Sequence, residues 1–179
     1  MVAKCEEELA RRRPRHLVIA VALAAILSAV TCLGPSATAP PAIVGEWKSS
    51  IRFDSGALAS MQGLEFMLVF NLGGTMTESS NYDGAPPVPP AYGIWKSVGP
   101  REFEAKYEFY VTRPPATIEE LTKGSGWLPS GRGVFHERIT LSADGRSFTS
   151  TIRYEAFGVD GKPVEGGGEG KGAGSKLEF

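Results

Sequence analysis

A chain of 179 residues, 42% hydrophobic and with a formal net charge of −1, has the length of one domain of ordinary size and the composition of a globular protein. A nucleic-acid binder would present a basic face. Beyond residue 39 this chain carries 14 lysines and arginines against 17 aspartates and glutamates, so nucleic acid is not an expected partner. Both cysteines, Cys5 and Cys32, precede residue 40, which denies the rest of the chain an internal disulfide or a thiolate metal site.

The N-terminus reads as an address. Arg11-Arg12-Arg13-Pro14-Arg15 stands in front of an apolar run over 17–30, the pattern of a secretory signal. The run is short for a spanning helix, though reading on through Cys32-Leu33 leaves an uncleaved anchor open. Two small-residue sites suit cleavage: Leu27-Ser28-Ala29, and Ala37-Thr38-Ala39, where the following Pro40 hinders a peptidase. Cys32 raises lipidation, but Thr31 before it is a poor fit. Residues 1–39 are therefore expected to be a signal peptide or membrane anchor plus a Pro-, Ala- and Ser-rich linker. An exported domain spans 40–179, and membrane contact is expected only through the first segment if it stays uncleaved.

From Val44 the hydrophobic period becomes two, with turn residues between runs. Trp47, Ser49, Ile51 and Phe53 alternate with charged and polar residues. Leu64, Phe66, Leu68, Phe70 and Leu72 give the most apolar strand face, and Gly73-Gly74 turns it into a strand over 75–82. The prolines among 83–90 rule out a central strand there. A short strand over 92–98 follows, then the clearest one, 102–112. There Phe103, Ala105, Tyr107, Phe109 and Val111 face one way, in the half-buried alternation of an antiparallel sheet.

Residues 113–131 form the longest interruption. Thr117 and Glu120 fit a capping box on one helical turn, and Trp127 has two readings: a lid over an opening, or the anchor of a tucked loop. Strands over 133–141 and 147–157 make a hairpin. The glycine-rich stretch 164–175 opens no helix, so it is not a phosphate loop. It reads as loose chain before a last short strand at 176–179. The expected fold is all-β, a small antiparallel up-and-down barrel of about eight strands, with a two-sheet sandwich as the alternative.

Pairing Leu141 with Phe148 places Phe135 and Tyr154, Glu137 and Ile152, and Ile139 and Ser150 on one face, and keeps Arg138 and Arg153 on the other. A one-residue slip would bury the arginines. Glu137 is then the one charged group on an apolar face. It must be paired, protonated or near an opening, which makes it the candidate acid or base. The plainer alternative sets it at the rim in water. Lys96 and Glu78 face in or out according to the turns at Gly99-Pro100 and Gly73-Gly74. His136 beside Arg153 reads as solvated. With one histidine after residue 39, no histidine-rich metal site is expected, and no motif calls for a cofactor.

Gly45-Glu46-Trp47 resembles the G-x-W opening of lipocalins and their calycin relatives. The resemblance implies an eight-stranded barrel around an apolar cavity, with Trp47 closing its bottom under an arginine from a late strand, Arg153 or Arg138. Three further segments resemble uncharacterised secreted bacterial lipocalin-like domains: Leu72-Gly73-Gly74-Thr75-Met76-Thr77-Glu78-Ser79, Tyr92-Gly93-Ile94-Trp95, and Ile139-Thr140-Leu141-Ser142-Ala143-Asp144-Gly145. This likeness implies a fold more than a function.

Three functions fit. The first is binding of a small hydrophobic molecule inside the barrel, lined by Phe66, Phe70, Tyr107, Phe109, Glu137 and Tyr154. The second is a cofactor-free cyclase or isomerase using Glu137 with Tyr107 or Tyr154. The third is an envelope interaction module with a solid core and no ligand.

Overall fold

A computed structural model describes residues 40–82, 90–123 and 126–179. The expectations for export, for Cys5 and Cys32, and for the proline-rich connection at 83–89 fall outside these residues.

Eight strands run in sequence order: β1 Gly45–Phe53, β2 Leu64–Phe70, β3 Thr75–Ser80, β4 Ala91–Ser97, β5 Glu102–Arg113, β6 Leu128–Leu141, β7 Ser147–Phe157 and β8 Pro163–Lys176. Each pairs antiparallel with its neighbour, and β8 pairs with β1, so the sheet closes into an up-and-down barrel. Closure leaves no free sheet edge. The sandwich alternative falls, because one continuous ladder joins all the strands.

Alternation decides which side chains enter. On β1, Trp47, Ser49, Ile51 and Phe53 are buried while Lys48, Ser50 and Arg52 are exposed. The β6–β7 register pairs Leu141 with Phe148, Glu137 with Ile152 and Phe135 with Tyr154. Arg138 and Arg153 stay on the outer wall, ion-paired to Glu102 and Glu155.

The 71–74, 98–101 and 142–146 connections lie at one end of the barrel, which is plugged. Trp47 is fully buried there, its indole N–H donates to the Ile43 carbonyl at 2.7 Å, and its ring packs on Phe148 with centroids 5.3 Å apart. The cation over Trp47 is Lys176, 5.5 Å from the ring centroid, with its ammonium donating to the Val44 carbonyl at 2.9 Å. Arg153 and Arg138, expected in that place, are turned outward by the register. β8 alone brings a basic side chain to Trp47, since Lys176 is its direct pairing partner.

β8 corrects the reading of 164–175 as loose chain and of 176–179 as the last strand. Its period-two signal is carried by glycine. Gly168, Gly170, Gly172 and Gly174 pair with inward residues of β7, while Glu169 and Lys171 face solvent. A side chain at Gly174 would lie 2.3 Å from the Phe148 ring, and one at Gly172 would lie 2.4 Å from Ser150 Oγ. The strand thus holds glycine where the neighbouring side chains already occupy the interior.

One short helix, α1 (Ile118–Lys123), interrupts the strands. Thr117 accepts the Glu120 N–H at 3.1 Å, giving the expected cap. Glu120 also feels the Thr117 N–H, the reciprocal half of the box, though its main partners lie elsewhere. It accepts from the Ala116 N–H and takes the Arg113 guanidinium in two bonds, and this holds its carboxyl down at about 2.

Candidate binding cavity at the barrel mouth

Opposite the plug, at the end where the 54–63 and 158–162 connections lie, the interior opens into a cavity of about 520 Å³. Much of its apolar wall comes from inward residues of four strands, Leu64 and Phe66 from β2, Phe109 from β5, Phe135 from β6 and Tyr154 from β7, with Leu58 from the 54–63 connection. Phe135 is the hub. Its ring lies 5.4 Å from Phe66, 5.4 Å from Phe109, 5.1 Å from Tyr154 and 5.2 Å from Tyr107. Phe109 lies nearly parallel to both Phe135 and Tyr154, at interplanar angles of 20° and 18°, so the three rings form one mutually packed cluster. Glu78, from β3, is the charged side chain in the lining, with Ser80 and Tyr82 on the same side.

Of the six residues expected to line a ligand, Phe66, Phe109 and Tyr154 do so. Phe70 lies towards the plug, edge-on to Trp95 at 6.2 Å and 1% exposed. Tyr107 and Glu137 are 0% and 2% exposed and do not reach the cavity lining. They are joined to each other instead, the Tyr107 hydroxyl donating to Glu137 Oε2 at 2.9 Å. Glu137 is therefore core, not rim. Trp127 is half-exposed just before β6 and does not line the cavity. Phe135 and Glu78 also line the cavity; the sequence set Phe135 on the inward face and left the side of Glu78 open, and named neither as a ligand-binding residue. The signal for Phe135 was present in the β6–β7 register. Glu78 depended on the Gly73-Gly74 turn, where both glycines take positive φ (108° and 88°) and set Glu78 opposite the inward Leu68.

Burial pushes the Glu137 carboxyl above the ordinary carboxylate range, against the pull of the nearby Ser150 hydroxyl and of the Tyr107 bond. Its second oxygen, Oε1, and Ser150 Oγ make no hydrogen bond of ordinary geometry. Burial likewise drives the Tyr107 hydroxyl well up, with Glu137 and Glu78 adding to the effect. Tyr154 is raised by burial and by Tyr82 beside it. Glu137 and Tyr107 thus keep their protons more firmly than in water. A general base must reach the atom it deprotonates, and in this barrel the acid facing the cavity is Glu78.

A larger concavity, about 750 Å³, crosses the outer wall from β4 to β8 and is dominated by charged side chains. Lys96–Glu104 at 3.0 Å and Arg153–Glu155 at 3.3 Å tie its charges to strand neighbours. His136, also on this wall, meets Glu155 at 3.1 Å. Trp95 points inward and Lys96 outward, settling the ambiguity at Gly99-Pro100. Among the described residues no group of three histidines, cysteines or acids is placed to hold a metal ion. No family model, curated protein or solved structure matches the chain.

Proposed function

We propose that this protein is an exported, lipocalin-like binder of a small, largely apolar molecule in the mouth cavity. The observation that carries the reading is the cavity itself: about 520 Å³ walled by Phe66, Phe109, Phe135 and Tyr154. That volume lies within the roughly 300–1,000 Å³ of small-molecule sites, which are mostly apolar with a few polar groups. Export rests on the arginine cluster and apolar run before residue 31. The lipocalin-like reading rests on Trp47 opening β1 and plugging the closed end beneath a cation from the last strand. Binding is favoured over turnover because neither Glu137 nor Tyr107 lines the cavity.

The test is titration of the purified protein with the neutral fluorophore N-phenyl-1-naphthylamine. Saturable enhancement that Ser80→Phe abolishes by filling the cavity is expected. Enhancement untouched by Ser80→Phe in a folded variant would place the dye elsewhere and overturn the reading.

A further inference from the structure

Tyr107 on β5 and Tyr154 on β7 both point into the barrel, and they differ in what their hydroxyls meet. Tyr107 is fully buried and donates to Glu137 Oε2 at 2.9 Å, which is how a buried phenol is ordinarily satisfied. Tyr154 is only 9% exposed, yet among the described residues its hydroxyl has no hydrogen-bond partner. Nor is that hydroxyl sealed in the wall. The hydroxyls buried without a bond of ordinary geometry are those of Ser49 and Ser150, whereas Tyr154 lines the mouth cavity.

The neighbouring rings show that the wall itself does not need this hydroxyl. Phe135 and Phe109 pack on Tyr154 with centroids 5.1 Å and 6.2 Å away, and Phe66 joins them through Phe135. A phenylalanine at 154 would extend the same cluster with no polar group to desolvate. The phenol instead sets a hydrogen-bond donor beside the aromatic cluster. Burial and the nearby Tyr82 raise its pKa, so it keeps its proton at neutral pH. Tyr82, also in the lining, is 53% exposed and open to water. Tyr154 is the enclosed phenol of the two. A phenol donates more readily than it accepts, because its oxygen lone pair is drawn into the ring. Its complement is an acceptor oxygen with no proton of its own, and a carbonyl meets that need on an otherwise apolar molecule.

We propose that the mouth cavity takes an apolar molecule bearing a carbonyl oxygen, which accepts a hydrogen bond from the Tyr154 hydroxyl while the body packs against Phe66, Phe109 and Phe135. This rests on the mouth cavity being a binding site, and the experiment separates the two. The ketone 2-acetylnaphthalene and the hydrocarbon 2-ethylnaphthalene have nearly the same shape and differ in the carbonyl. Each is competed against N-phenyl-1-naphthylamine on the purified protein and on Tyr154→Phe, after the fluorophore's own affinity for each has been measured. Tyr154→Phe is expected to weaken the ketone about three- to ten-fold and to leave the hydrocarbon within about two-fold of its original affinity. The infrared carbonyl stretch of the bound ketone is expected to lie below its frequency in hexane and to return towards it in Tyr154→Phe.

A ketone that loses no more affinity than the hydrocarbon in Tyr154→Phe would overturn the inference while leaving the binding function standing. So would a ketone bound to the unaltered protein whose carbonyl stretches as it does in hexane, and that reading decides the matter even if Tyr154→Phe does not fold. Failure of the fluorophore and of both naphthalenes to bind would overturn both.

Discussion

The two ends of this barrel are built from the same alternating strands and come out differently. At the closed end Trp47 packs on Phe148 beneath Lys176, and Phe70 meets Trp95 edge-on. At the mouth the rings of Phe66, Phe109, Phe135 and Tyr154 line space instead of filling it. Stability is therefore expected to concentrate at the plug and ligand recognition at the mouth. Between them lies a polar belt: the Tyr107–Glu137 pair, Glu78, and the buried hydroxyls of Ser49 and Ser150.

The strongest test of this division is Trp47→Ala. It removes the plug, its bond to Ile43 and its contact with Phe148, and should cost about 3–5 kcal/mol in chemical denaturation. Phe109→Ala, at the partly buried mouth, should cost clearly less stability but weaken binding of the neutral fluorophore more. The reverse ranking would break the comparison. Gly174→Val comes next: its side chain would press into Phe148 under the plug, for about 1–3 kcal/mol of overpacking. Thermal denaturation should show that loss with the mouth's affinity for the fluorophore retained.

Glu137→Gln tests the belt through pH. Burial raises the carboxyl's pKa in the folded state, so the folded protein holds that proton more tightly than the unfolded chain does. The stability this contributes is full below the ordinary carboxylate range and is lost as pH rises through the raised folded-state value. A glutamine keeps an acceptor for the Tyr107 hydroxyl and does not ionise. Its melting temperature relative to the unaltered protein should therefore rise between about pH 4 and pH 8, and a flat difference across that range would contradict the buried-acid account. The smallest effect is expected from Trp127→Ala, which should shift fluorophore affinity by less than about two-fold, since the indole does not line the cavity. A large loss would restore Trp127 as a lid.

Much of this was legible without the tertiary structure. Alternation in 102–112 and the cost of burying Arg138 and Arg153 sufficed to set the faces of β5, β6 and β7, because a one-residue slip reverses every side chain. Trp47 as the plug was legible through Gly45-Glu46-Trp47. β8 was not. Its inward positions are glycines, which carry no hydrophobic signal, and only the rings and side chains of β7 and β1 explain why nothing larger stands there. The cation over Trp47 was hidden for the same reason, since Lys176 belongs to that strand.

Sequence alone determined which side chains of β1, β2, β5, β6 and β7 would face inward, because period-two burial depends only on backbone geometry. Whether a given inward ring fills that interior or lines a cavity was decided by the tertiary structure. Phe70 and Phe66 are four residues apart on one face of β2, yet one packs at the plug on Trp95 and the other lines the mouth. Their fates depend on what the strands across the barrel place opposite them, and that follows from closure and register rather than from local pattern. Glu78 is the sharpest instance: the left-handed glycine turn before β3 set its register, and with it the one charged group now seen to face the cavity among the described residues.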